Sequence, residues 1–398
     1  MKVGIAGNGV SAVTLARRLR DRDPEARIEI FSKEPCLYYQ RPKLIDLLAG
    51  ECGEDDIFFF PLSWYEKNRI DIRLNEPALA LDPAGKTLTS SSGEHSFDRI
   101  VIASGSTPFV PPVAGTETGG VSCLRTLDDC RALRASAGSA EHAVIIGGGV
   151  LGLEIANALR KLAPGLSVTI LEVMPRLLPL QLDDEGAEVL ASLLAARKIA
   201  VHTNVRVRAV TGAGRSRVVE FGDRRIPADL VIVSAGVRPE LGWLRASGLG
   251  LNRGVVVNDL LETDREGIFC LGDAAEHRGC VSGIIKPAID MAEVAAANIL
   301  SPGSKEYRGS LAARTAKVLG GYILSIGEHD PRDCPDCGII RTAVNGGYRK
   351  FVIRGNALAG FISIGPRPPE QRIQQMISSK SDVSSILDKM RSPDYNFA

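Results

Sequence analysis

The chain lacks several features that would point to particular classes of protein. It has no excess of charge: 48 Lys and Arg stand against 47 Asp and Glu, a formal net charge of +1. Such a balance offers no default attraction to nucleic acid or to an anionic membrane. Aromatic residues make up only 5% of the chain, which argues against binding on stacked aromatic platforms. No apolar run is long and unbroken enough to cross a bilayer. The longest charge-free stretch, Ile100–Thr116, is interrupted by Pro108, Pro111 and Pro112, and a spanning helix needs about 20 apolar residues. The apolar start MKVGIAG meets a glycine turn at Gly7, too soon for the long core of a signal peptide. A cytoplasmic protein without membrane insertion is expected. Eight cysteines in 398 residues, with no secretory signal, read as reduced thiols rather than a disulfide framework.

What is present suits an α/β protein of two or three domains. Its 41 glycines are spread along the chain rather than arranged in repeats. The first chemical signal is Val3–Ala12, VGIAGNGVSA. A short apolar strand enters a turn at Gly7 and Gly9, and helical periodicity continues over Val13–Arg20. Gly7 permits the tight turn, Gly9 lets a pyrophosphate approach the backbone, and Ala12 is small enough for close helix–strand packing. The phosphates would rest on the amides of the helix N-terminus. A second strand, Arg27–Phe31, follows, and Glu34 is the nearest acid able to bond an adenosine ribose.

One such turn is a weak signal, but the chain has a second. Ala143–Glu154 reads AVIIGGGVLGLE, with Gly147, Gly149 and Gly152 in the three-glycine spacing. A helix is predicted over Leu151–Leu162 and a strand over Val168–Leu171, ending on Glu172. That acid lies about 25 residues beyond Gly147, near the expected ~20. A carboxylate there bonds a free ribose 2′-OH and repels a 2′-phosphate. The first arginine after Glu172 is Arg176, so NADH is favoured over NADPH.

In this order of motifs the chain resembles the two-dinucleotide-domain flavoproteins of the pyridine nucleotide–disulfide oxidoreductase superfamily. The resemblance covers nearly the whole length. It implies FAD at the first turn and NAD(H) at the second. Asp98–Pro108, DRIVIASGSTP, resembles the segment that closes the first domain, with Ala103, Ser104 and Gly105 at its tip and Ser104 in place of the usual threonine. Asp229–Pro239, DLVIVSAGVRP, carrying Gly236, resembles the strand that returns from the NAD domain. Thr263–Asp273, TDREGIFCLGD, resembles the second FAD motif, in which Gly272 and Asp273 hold the ribityl chain and pyrophosphate. Read alone, Asp273 could equally be a helix N-cap before Ala288–Leu300.

The resemblance implies an α/β fold of two Rossmann-like dinucleotide-binding domains, the NAD domain inserted in the FAD domain, plus a small α+β C-terminal domain. The FAD domain is expected at 1–115 and 240–310, the NAD domain at 116–239 and the third unit at 311–398. Strand-like runs at Arg349–Ile353 and Ala359–Ile364 and a helical stretch at Ser381–Lys389 fall in the last. In the family this unit covers the flavin side and often makes the dimer interface, which allows a homodimer.

The stretch Glu34–Leu44, EPCLYYQRPKL, separates the branches of that superfamily. In the disulfide-reducing branches its helix carries a working cysteine beside the flavin. Here the corresponding turn, Tyr39–Lys43, has none, and Cys36 lies about one helical turn earlier. The R-P-x-L pattern of Arg41, Pro42 and Leu44 resembles NADH:rubredoxin oxidoreductases and the FAD-containing part of NADH-dependent nitrite reductases. Arg41, a permanent planar cation, suits the FAD pyrophosphate or the flavin edge. Lys43 is expected to pair with Glu154 between nicotinamide and flavin; two separately solvated charges are the alternative.

The function implied is an FAD-dependent NADH:acceptor oxidoreductase. Hydride passes from NADH to flavin N5, or the reverse, and electrons are exchanged with a rubredoxin- or ferredoxin-like electron carrier or an iron–sulfur subunit. A thiol-based NADH oxidase or CoA-disulfide reductase is one alternative. A non-catalytic flavoprotein subunit, or an NADH-responsive module, is the other. Three features depart from the family. Cys334 and Cys337 form a lone CxxC, which supplies only two of a metal's ligands, so no metal site is expected and incidental loop cysteines are the reading; a half-site completed by another chain and a dithiol switch are the alternatives. Met291-Ala292 stands where related proteins often carry Gln-Gly. His277 is expected on a surface loop, with a flavin-side proton donor as the alternative.

Overall fold

A computed structural model describes residues 1–398 except 118–119, 215, 312, 319, 331–335, 345–346 and 398. The chain divides into two compact units. One comprises Met1–Leu44, Cys52–Thr107 and Val237–Ser310; the other comprises Ile45–Glu51, Pro108–Gly236 and Leu311–Ala398.

The first unit is built on a parallel five-stranded sheet. Strand β1 (Lys2–Ala6) leads through Gly7–Gly9 into helix α1 (Val10–Arg22), then β2 (Arg27–Phe31), β3 (Ile70–Arg73) and β4 (Arg99–Ile102). The strand Ile268–Cys270 completes the order Ile268–Cys270, β4, β1, β2, β3. Parallel strands covered on both faces need apolar residues in succession rather than alternation. Val3, Ile5 and Ala6 of β1 and Ile100, Val101 and Ile102 of β4 are accordingly buried. Helix α1 buries Ala12, Leu15, Ala16 and Leu19, a stripe at helical spacing. It packs against the helix Ile285–Leu300, where Arg18 and Arg22 meet Glu293. Each large apolar side chain on that stripe contributes about 1.5–3 kcal/mol on burial.

The second unit repeats the arrangement. Strand β5 (His142–Ile146) leads through Gly147–Gly149 into helix α2 (Val150–Leu162), then β6 (Ser167–Leu171), helix α3 (Asp184–Ala196), β7 (Ile199–His202) and β8 (Leu230–Val233). All these strands pair in parallel in the order β7, β6, β5, β8, with Val121–Ser122 at the far edge. Both sheets therefore show the 3-2-1-4 winding of a dinucleotide-binding fold.

The same unit holds an antiparallel sheet made of β9 (Arg314–Val318), β10 (Gly321–Gly327), β11 (Gly338–Val344), β12 (Gly347–Arg354) and β13 (Ala357–Gly365). Their order is β9, β10, β13, β12, β11, which leaves β9 on an edge. Helix α4 (Glu370–Ser378) covers one face. The helical stretch expected over Ser381–Lys389 is instead a 3-10 turn, Ser384–Ile386, and a single α-turn, Leu387–Met390.

A buried ion pair ties this sheet to the nucleotide fold. The fully buried Lys350 of β12 donates from Nζ to Asp183 Oδ2 at 2.8 Å and to the His329 carbonyl at 2.6 Å. Tyr348 donates to the same carboxylate oxygen at 2.8 Å, while Asp183 caps α3 by accepting from Gly186 N at 3.0 Å. Burial works against the Asp183 charge, but Lys350 and Tyr348 outweigh it and hold the carboxyl below its ordinary value. Each of the three side chains thereby has a hydrogen-bonded partner, the condition for tolerating buried charge.

Among the described residues, no helix is long and apolar enough to cross a membrane. Cys36, Cys52, Cys123, Cys130, Cys270 and Cys280 carry no disulfide. Cys337 departs from the expectation of reduced thiols, since it is disulfide-bonded. Cys334 lies outside the described residues.

Candidate functional site

The two glycine turns have the same local construction. Gly7 N bonds the Phe31 carbonyl and Gly147 N bonds the Leu171 carbonyl, both at 2.8 Å. Both glycines have φ +119°, and an added Cβ would lie 2.1 Å from Ala103 O at Gly7 and 2.2 Å from Ser234 O at Gly147. Only glycine fits either place. Gly9 and Gly149 are the helix N-caps, neither with a side-chain capping bond. A Cβ at either would meet nothing within 4 Å. Each helix therefore presents uncapped amides to open space, the arrangement that takes a phosphate.

In the first unit, Asn8 Oδ1 is buried beside this turn with no hydrogen-bond partner. A buried orphaned acceptor is costly and suits a donor on a bound ligand. Ala12 is fully buried on α1. Gly272, at φ +66°, lies so close to α1 that its Cβ would sit 3.0 Å from Ser11 Oγ. Asp273 accepts from Ser106 Oγ at 2.7 Å. At the end of β4, Ala103 N bonds the Ala6 carbonyl, Ser104 Oγ donates to Glu240 O at 3.1 Å, and the Gly105 carbonyl accepts from Glu240 N. The first turn, the Ala103–Gly105 tip and Gly272–Asp273 thus converge in one unit. Asn8, Ser11 and Ser106 join them; no motif marked these three, since their place beside the turn depends on approaches between distant parts of the chain.

Glu34 and Arg41 hold each other. Arg41 Nη2 donates to Glu34 Oε1 at 2.7 Å, and the Tyr39 hydroxyl donates to Glu34 Oε2. Burial pushes the Tyr39 phenol well above its ordinary range, so it stays a donor. Burial also opposes the Arg41 charge, but Glu34, Tyr39 and Asp273 outweigh it and raise its pKa. Pro42 follows directly, at the entry to the short helix Lys43–Leu48. Lys43 donates from Nζ to the Asp56 carbonyl at 2.6 Å. Cys36 is half-buried, and its carbonyl accepts from Asn8 Nδ2 at 3.5 Å.

His277 is not on the surface, as expected from its loop-like sequence. It is buried, bonds Asp259 Oδ1 at 2.8 Å and packs edge-on against Tyr307. Arg278 completes the cluster with two bonds to Asp259. Alternation within a three-residue strand, Ala275–His277, gives too little pattern to foretell this.

In the second unit, Glu172 is buried directly after β6 and folds onto its own turn. Its carboxylate accepts from Gly148 N at 2.6 Å and from Met174 N at 2.7 Å. No cation shares it in these contacts. Arg176, the nearest arginine in sequence, is committed to Asp184 at 3.0 Å and Asp330 at 2.9 Å. Gly152 approaches closely, since its Cβ would lie 2.1 Å from Gly147 O. Gly236, at φ +99°, accepts through its carbonyl from Phe109 N. Glu154, on the first turns of α2, accepts from Lys317 N at 3.0 Å. Burial pushes its carboxyl up to about 7, partly opposed by Lys317.

Two dinucleotide folds, each with an uncapped glycine turn and an acid after its second strand, define the class of proteins built to bind two dinucleotides. The family model for pyridine nucleotide-disulphide oxidoreductases matches residues 1–298. The chain belongs to this family of FAD-dependent oxidoreductases, whose cofactors are FAD and NAD(H). It is 31% identical over 383 residues to a nitrite reductase [NAD(P)H] of Bacillus subtilis, covering 96% of this chain and 47% of that protein. It is 30% identical to a rubredoxin-NAD(+) reductase of Pseudomonas putida, covering 80% and 86%. The crystal structure of NADH:rubredoxin oxidoreductase from Clostridium acetobutylicum matches with a TM-score of 0.78 and 26% identity, over 98% of both chains. The chain spans about half the length of the B. subtilis enzyme.

Proposed function

We propose that this chain is a cytoplasmic NADH:acceptor oxidoreductase that exchanges electrons with a rubredoxin- or ferredoxin-like carrier or an iron–sulfur subunit, without a redox disulfide. On this reading 1–115 and 240–310 bind FAD, 116–239 binds NAD(H), and 311–398 form the interface unit. FAD supplies two-electron exchange with NADH and one- or two-electron exchange with the acceptor. The residues of the chain do the rest. The uncapped amides after Gly9, with Asn8, Ala103, Ser104, Gly105, Gly272 and Asp273, hold FAD. Arg41, kept cationic by Glu34, faces its phosphates or ring edge, with Pro42 setting the turn. The amides after Gly149 hold the pyrophosphate of NADH, with Gly236 at the returning strand, and Glu172 bonds the adenosine ribose.

The observation that carries the NADH reading is Glu172. Two backbone amides fix its buried carboxylate directly after β6, and Arg176 is engaged elsewhere; on this reading the carboxylate faces the 2′ position of the adenosine ribose. Adding a second negative charge beside it is strongly unfavourable. The flavin-only reading rests on the segment Tyr39–Lys43, which has no cysteine, and on Cys36 and Cys52, which are not joined. Relatives named for rubredoxin, for nitrite and for a chlorobenzene dioxygenase ferredoxin reductase component support the choice of acceptor class. On this reading Glu154 and Lys43 act together at the nicotinamide and flavin, and a double-mutant cycle on the rate of flavin reduction measures their coupling.

The experiment is an anaerobic NADH titration of the FAD-loaded protein. Bleaching complete at about two electrons per flavin, with no thiolate charge-transfer band, is expected. Uptake of about four electrons with such a band rules the reading out, because a thiol pair would then share the electrons.

A further inference from the structure

The edge strand β9 of the C-terminal sheet lies along helix α2 of the NAD fold. In an antiparallel pair, alternate amides point away from the partner strand. On β9 one of these outward amides, that of Lys317, has found an acceptor in the other fold: it donates to Glu154 Oε1 at 3.0 Å. The residues are 163 apart in sequence. Glu154 follows the third glycine of the NAD turn by two positions, so it stands on the helix whose N-terminus receives the dinucleotide.

We propose that the backbone amide of Lys317 is a positioning group for Glu154, through which the C-terminal sheet takes part in the hydride-transfer site. This rests on the placement of Glu154 at the nicotinamide. A half-buried carboxylate on a helix surface has several rotamers open to it, and an amide fixed in a sheet selects one. The same bond favours the charged form of the acid. The charged groups acting on Glu154 are Lys317 from β9 and Asp46 from the short helix Lys43–Leu48, the first favouring its ionised form and the second opposing it. The buried Lys350–Asp183 pair also ties this sheet to α3, through β12.

Lys317→Pro isolates the effect. Proline removes the one amide hydrogen and is tolerated on an edge strand where that amide points outward, whereas Lys317→Ala keeps the amide and loses only the ammonium. Two measurements test the proposal. The first is the pH profile of flavin reduction by NADH in a single anaerobic turnover. The wild-type protein should inflect near 7, Glu154→Gln should lose the inflection, and Lys317→Pro should raise it by about one unit, more than Lys317→Ala. The second needs no cofactor turnover: hydrogen exchange of the peptide spanning 314–318. Glu154→Ala should speed exchange about tenfold with β10–β13 unchanged, and Glu154→Gln, which still accepts, should not. A Lys317→Pro profile that coincides with wild type, or unchanged exchange in Glu154→Ala, overturns the role of Lys317. An inflection that persists in Glu154→Gln instead overturns the placement of Glu154, and the exchange result then stands alone.

Discussion

The two glycine turns are near copies in backbone and opposites in electrostatics. Gly7 and Gly147 share φ +119° and the same collision with a neighbouring carbonyl. Both helices begin at an uncapped glycine and run 13 residues. The acids differ. Glu34 lies three residues past its strand and is matched by Arg41 and Tyr39. Glu172 follows its strand at once and is held by amides alone. The same backbone cradle is thus built twice, and on the proposed function the side chains beyond it decide which nucleotide enters. The matched acid suits a cofactor that stays; the unmatched one keeps its acceptor strength for a ligand that comes and goes.

The largest effects should come from the shared element. Gly7→Ala forces a Cβ onto Ala103 O and should leave the purified protein without flavin, at a cost of about 2–5 kcal/mol in strain and overlap. Gly147→Ala should keep flavin, visible in its absorbance, yet bind no NADH. If both variants lost both ligands, the turns would not be independent. Next, Glu172→Arg should invert nucleotide preference, moving the NADPH-to-NADH affinity ratio by about a hundredfold in binding titrations, whereas Glu34→Gln should weaken FAD by about tenfold without altering that ratio. An unchanged ratio in Glu172→Arg would break the contrast drawn here.

A smaller effect concerns pH. Glu154 is raised to about 7 in the folded protein, so the folded state binds more protons than the unfolded one between an ordinary carboxyl value and 7. Stability should therefore fall as pH rises through that window and level off above it. In Glu154→Gln the fall should be shallower, as read by thermal melts from pH 5 to 8. The smallest effect is at Ala12, the third position of the first turn. Ala12→Gly should cost about 1 kcal/mol in helix propensity and leave FAD bound, while Gly152→Ala, pressed against Gly147 O, should cost more and lower NADH affinity.

Much of this was legible in the sequence, and for one physical reason. Gly7, Gly147 and Gly152 are demanded by backbone conformation and close approach, and such demands are local, so they survive in the order of residues. The elements around both turns, β1 with α1 and β5 with α2, lie where the apolar runs place them. The partnership of Glu34 with Arg41 was not legible, because each was read alone against a ligand. Nor was the bond from Lys317 to Glu154, since a backbone amide has no signature in sequence. The helical reading of Ser381–Lys389 failed because two short turns can mimic one helix in composition, and the burial of His277 failed because its strand is too short to show a face. Lys350 was read only as part of a strand; that a lysine would be fully buried there, beside Phe351 and Val352, runs against the residue type.

That lysine sets a limit on inheritance. A module can be exchanged between proteins when the surfaces it leaves behind are neutral or wet. Here the join between the C-terminal sheet and the nucleotide fold is a locked charge, with Lys350 on one side and Asp183 on the other. A graft that brings either half without its counterpart strands an ion in a dry interior, at about 3–5 kcal/mol. The two parts are therefore passed on together or redesigned together, and a chimaera made from this chain should carry its seam elsewhere.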